Sequence, residues 1–204
     1  MKKRNCRRTE QEALEHECAV AMRKKTDKQI YDYLKEVEKL RDACEDIREK
    51  ALIDVFLSTG MRIGELEKLK KTDINFQEGK LIVFGKGSKE REVYLNAKAK
   101  IHLAEYIMSR ADDSPWLFVA IKKPYNGLKK TGFSCVLKGI AERACVDNVH
   151  PHRFRRTAAT IALNRGMPIE QVQILLGHVD ISTTQLYAIT NSRNVKLSHE
   201  KYLS

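Results

Sequence analysis

The chain has 204 residues, of which 42% are hydrophobic and 32% charged, and it carries a formal net charge of +11. That length holds one domain of ordinary size, with or without an appendage, and enough apolar residues for a sizeable core. An odd set of five cysteines (Cys6, Cys18, Cys44, Cys135, Cys145) without Cys-x-x-Cys spacing argues against a disulfide framework or a zinc site, and no apolar run reaches membrane-spanning length.

In chain order, residues 1–25 are highly charged and read as a linker or arm, with Leu14, Cys18 and Met22 at helical spacing. The basic start has no apolar stretch behind it, so it does not read as a secretion signal, and a reducing cytoplasm is the default compartment. Thr26–Gln29 matches a capping box for a helix running to about Ala43, with Ile30, Leu34, Val37 and Leu40 on one face. Ile47 to Leu57 is apolar over a wide arc and predicts a buried helix that Gly60 ends. A short helix with Ile63, Leu66 and Leu69 follows. Leu81–Phe84 and Arg91–Leu95 flank a glycine-containing turn and predict an antiparallel hairpin, and Trp116–Val119 a third short strand. Between them, Ala97 to Arg110 reads as a helix. From about Phe133 onward the chain reads as helical pieces broken at Val146–Pro151, Gly166–Pro168 and His178–Ile181. The fold class is α+β, mostly α-helical with a small antiparallel sheet.

Several residues can carry chemistry. Arg62 follows a helix-breaking glycine and opens a helix, whose start offers amide donors and a positive dipole end to a phosphate; its plain alternative is a surface pair with Glu65. Lys86 stands at the hairpin tip between two glycines, and Lys89 and Arg91 add charge to the same hairpin. His152 and Arg155 lie three apart on a helix that Pro151 helps to start, a pairing of proton carrier and anion fork. A metal site at His150 and His152 has no carboxylate or Cys at ligand spacing. Leu-Gly-His178 ends a short helix, and Tyr187 follows nine residues later.

Taken together, Arg62, Lys86, His152, Arg155, His178 and Tyr187 resemble the ordered pattern of the tyrosine recombinase family, the integrases of phages and conjugative transposons and the chromosome-dimer resolvases. Thr59-Gly-Met-Arg62 with Glu65, Gly85-Lys-Gly-Ser-Lys-Glu-Arg91 and Leu-Gly-His178 with Thr-Thr-x-x-Tyr187 look like three of its boxes. The resemblance covers about residues 27–190. It implies a tyrosine recombinase catalytic domain at 26–190, behind the charged linker or arm at 1–25, and a tail at 191–204 that is either exchanged between protomers or packed on its own chain. Only a short charged segment precedes Thr26, so the expectation is a fragment or a lone catalytic domain.

The resemblance also implies a reaction. Tyr187 attacks a DNA phosphodiester to give a 3′-phosphotyrosine, which a second 5′-hydroxyl reseals without ATP. Arg62 and Arg155 hold the non-bridging oxygens, Lys86 protonates the leaving 5′-oxygen, His152 takes the tyrosine proton or orients the phosphate, and His178 donates to a phosphate oxygen. Glu65 and Asp73 support the fold. Two arginines and a lysine supply the charge a metal would bring, so no cofactor is implied. The implied partner is double-stranded DNA, bound by a homo-tetramer, with accessory proteins left open, in a bacterial or phage cytoplasm. Type IB topoisomerase-like relaxation, or a truncated DNA-binding remnant, are the alternatives.

Overall fold

A computed structural model describes residues 28, 31–85 and 90–178. The capping box at Thr26–Gln29 and the helical spacing at Leu14 to Met22 lie outside them. The first described helix, α1 (31–42), buries Val37 and Leu40 as expected but leaves Leu34 exposed with Tyr31, because its first turns stand clear of the core. Next comes α2 (Ile47–Thr59). The Asp46 side chain caps it by accepting the Glu49 amide at 2.8 Å, and Gly60 ends it in the left-handed conformation. Ala51, Leu52, Ile53, Val55 and Phe56 are all essentially inaccessible, so α2 is buried on every side and serves as the central strut.

After Gly60 the chain turns into α3 (Ile63–Leu66), a single turn. Leu69 is buried beyond its end, where the backbone has already left the helix. The sheet follows, with β1 (Ile74–Asn75), β2 (Lys80–Phe84) and β3 (Glu90–Tyr94) antiparallel in that order. Leu81 pairs with Val93 and Val83 with Arg91 on the inner face, while Ile82, Phe84 and Tyr94 face out. The expected hairpin is present, but the third strand is β1 and not Trp116–Val119. That segment makes only isolated bridges, Trp116 to Lys70 and Val119 to Gly127. Leu117, Phe118 and Val119 are buried in succession, so the segment threads the core between loops instead of alternating as a strand does.

Helix α4 (Ala97–Ser109), capped by Asn96, packs along α2. Asp54 on α2 is fully buried, and it is tolerated there because Arg41 of α1 donates to it at 2.7 Å and the His102 ring of α4 lies at 2.6 Å. The last three helices are α5 (Lys130–Ala144), α6 (Pro151–Asn164) and α7 (Ile169–Leu176). Helix α5 starts slightly before the apolar pattern at Phe133 predicts. Phe56 of α2 stacks on Phe154 of α6 at 5.9 Å and meets Phe133 of α5 edge-on at 6.5 Å, which fixes where α6 lies. Helix α7 attaches in two ways: Val172 and Leu176 form a small cluster with Ala159 of α6, and part-buried Leu175 packs against the main core. Among the described residues, no helix is long and apolar enough to cross a membrane.

Candidate functional site

The site grows from the corner at Thr59–Arg62. The Thr59 hydroxyl donates to Val55 O at 2.6 Å and accepts the Met61 amide at 3.3 Å, and Met61 is fully buried, so the turn is locked on both sides. Gly60 sits at φ +59°, and a Cβ there would come within 2.7 Å of Leu176 Cδ2. The corner therefore admits α7 only because the residue is glycine. Arg62 then stands as N-cap of α3, and Glu65 accepts its backbone amide at 2.7 Å. One donor of the helix start, the Arg62 amide, is therefore used within the turn, and a single turn has little dipole to add. The side chain of Arg62 also meets Glu65, at 3.2 Å, so the plain pairing exists alongside whatever else Arg62 does.

The other half of the site is the end of α7. Gly177 adopts φ +65°, with its amide bonded to Ile174 O and the His178 amide to Gln173 O. This is a Schellman ending, and it leaves the next three carbonyls without helical partners. Each accepts from a different arginine. Arg91 Nε donates to Leu175 O at 3.0 Å, Arg155 Nη2 to Leu176 O at 2.6 Å and Arg62 Nη2 to Gly177 O at 3.1 Å. Arg155 also donates to Gly60 O at 2.7 Å, so one guanidinium ties the end of α2 to the end of α7. Phe154, the preceding residue, is held by the aromatic stack on α2, and that aims Arg155 inward, where it is only 5% exposed.

Two of the three arginines, Arg91 and Arg62, hold one carboxylate, Glu65. Burial pushes the Glu65 carboxyl up. The hydrogen bonds and charges of Arg91 and Arg62 outweigh that and hold it below the usual range, so it stays ionised. His178 receives the opposite treatment. Burial, then the charges of Arg155, Arg62 and Arg91, depress its imidazole to about 4. His178 is thus neutral in ordinary buffers, with one ring nitrogen able to donate. The unfolded ring takes up a proton near pH 6.5 and the folded one only near 4, so stability falls as pH drops through that window and levels below it. An NMR titration of the 204-residue chain should show His178 with a midpoint near 4. An ordinary midpoint for His178 would mean that the ring is not buried beside the arginines.

Of the six residues expected from sequence, Arg62, Arg155 and His178 come together at the end of α7. His152 lies in the first turn of α6 with an exposed side chain, behind His150, which caps the helix by accepting the Arg153 amide. Lys86 and Tyr187 lie outside the described residues. Glu65 holds the site together, and Asp73 caps a turn by accepting the Lys70 amide at 2.8 Å, both as structural supports. Sequence reasoning missed Arg91. It was counted as hairpin charge, yet it points inward beside Glu65, 10% exposed. The signal was there in parity, since Arg91 shares its strand face with Val93.

Comparison with known proteins gives this geometry its context. The model of the phage integrase family matches residues 21–193, most of the chain and all of the site described above. The chain belongs to the phage integrase family. Within it, the tyrosine recombinase XerC of Herpetosiphon aurantiacus is 37% identical over 172 residues, covering 81% of this chain and 56% of that protein. XerD of Listeria innocua is 34% identical over 183 residues, covering 83% of this chain and 61% of that protein. The crystal structure of a XerA recombinase superposes with a TM-score of 0.69 at 29% identity, over 82% of this chain and 61% of that one. The fold is therefore that of a tyrosine recombinase catalytic domain. The chain spans somewhat more than half the length of these relatives.

Proposed function

We propose that this chain cuts and rejoins double-stranded DNA for site-specific recombination or integration through a 3′-phosphotyrosine at Tyr187. The observation that carries the reading is the meeting of Arg62, Arg155 and a neutral His178 at one helix end, with Arg62 part-exposed to solvent. Such a cluster suits the charge that builds on a phosphate's non-bridging oxygens as it becomes pentacoordinate. In this scheme the Tyr187 oxygen bonds to phosphorus as the bond to the 5′-oxygen breaks. Arg62 and Arg155 hold the non-bridging oxygens and His178 donates a hydrogen bond to one of them. His152 takes the tyrosine proton or orients the phosphate, and Lys86 gives a proton to the departing 5′-oxygen. The catalytic unit is 26–190, with 1–25 as a basic arm and 191–204 as a tail exchanged between protomers of a tetramer on bacterial or phage DNA. Relatives named as Xer recombinases support the reading.

The experiment is to trap the covalent adduct on nicked genomic fragments and sequence the DNA attached to the protein. A two-site recombination assay beside plasmid relaxation separates strand exchange from topoisomerase-like relaxation. Lys86→Ala should cleave normal DNA on the order of a hundredfold more slowly, as loss of a general acid does. A 5′-bridging phosphorothiolate, whose sulfur leaves without protonation, should restore most of that rate. No rescue would move Lys86 from proton donor to phosphate binder and make Lys89 the next candidate.

A further inference from the structure

We infer that Arg91 is a positioning residue for strand cleavage, holding the end of α7 and the α3 turn in the register that lets Arg62 and His178 meet one phosphate. The inference rests on the function proposed above. Arg91 is the only arginine among the described residues whose guanidinium bonds both carboxylate oxygens of Glu65, at 2.6 and 2.8 Å, while its Nε reaches Leu175 O at 3.0 Å. Its own strand, the α3 turn and the end of α7 are thereby fixed by one planar group. Glu65 passes the constraint on, because it also accepts from the Arg62 amide and guanidinium.

Two further observations point the same way. Helix α7 packs through Val172 and Leu176 beside Ala159 and through part-buried Leu175 against the main core, and the arginine bonds to the carbonyls at its end add polar ties to that apolar attachment. Gly177 leaves the space that Arg91 fills: a Cβ there would meet Arg91 Cδ at 3.0 Å and its Nε and Nη1 at 3.1 Å. The fork geometry matters as much as the charge, since an ammonium cannot span both carboxylate oxygens and a carbonyl at once. Misplacing a phosphate-holding group by an ångström lowers rate more than affinity.

The test uses the full chain and a trapped target duplex carrying a nick. Arg91→Met would leave the buried Glu65 carboxylate with Arg62 as its remaining partner, so Arg91→Met with Glu65→Gln is made beside it to keep the fold. Single-turnover adduct formation is followed against DNA concentration. Both variants should cleave on the order of a hundredfold more slowly at saturating DNA, with half-saturation moved less than about threefold. Arg91→Lys should recover little of the rate. The His178 titration midpoint should rise in all the variants that lose the charge. A normal rate per folded molecule, full recovery by Arg91→Lys, or loss confined to DNA affinity would each overturn the inference. If the parent chain forms no adduct, the function proposed above fails on its own. The histidine titration then decides: an unmoved His178 midpoint rejects the placement of Arg91, and a raised one retains it.

Discussion

Tyr187→Phe should bind duplex DNA within about twofold of the parent and form no covalent adduct. Phenylalanine keeps the ring and removes only the hydroxyl, so a lost adduct with intact binding isolates the nucleophile. Tyr187 stands nine residues past His178, within the stretch that the phage integrase family model matches. A nicked suicide substrate makes the measurement clean. The cleaved strand diffuses away, and every cleavage event remains as a protein–DNA band on a denaturing gel. Tyr202→Phe is the control, because it too lies in the C-terminal part of the chain and should form adduct like the parent. An adduct that persists in Tyr187→Phe and vanishes in Tyr202→Phe would reassign the nucleophile.

Much of the fold could be read in the sequence because it is carried by local signals. Asp46 and Gly60 bracket α2, Pro151 opens α6, and Gly177 closes α7, each through a backbone need that one residue type meets. The local settings of Arg155, on the helix that Pro151 opens, and of His178, just past the glycine that ends α7, were legible for the same reason. What escaped is non-local. Arg91 draws its role from Glu65, 26 residues back, and from Leu175, 84 residues on, and no window of sequence joins them. Trp116–Val119 looked like a strand because it is apolar. Its neighbours in space are Leu69 and Leu128, whose backbones it meets one bond at a time. The pairing of Arg62 with Glu65 was legible as an i, i+3 contact, but its reach to Gly177 O, 115 residues on, was not.

Arg155→Ala should damage both the fold and the chemistry, and the two losses can be separated. The guanidinium is buried and supplies hydrogen bonds to Gly60 O and Leu176 O. Leaving buried carbonyls without donors costs about 1–3 kcal/mol each. A stability loss of roughly 2–5 kcal/mol is therefore expected in urea melts, with α7 the first element to loosen in hydrogen exchange. Removing a preorganised donor from a developing phosphate charge costs on the order of 3 kcal/mol more, a few hundredfold in rate. Arg155→Lys separates these terms. Its ammonium can reach one of the two carbonyls and so should recover part of the stability. It cannot hold both carbonyls and also face a phosphate, so the cleavage rate per folded molecule should stay low. The His178 midpoint reads the local charge independently: it should rise in Arg155→Ala and stay near 4 in Arg155→Lys. Cleavage by the folded fraction of Arg155→Ala at the parent's rate would mean that Arg155 only clamps α7 to α2, and that Arg62 carries the phosphate without it.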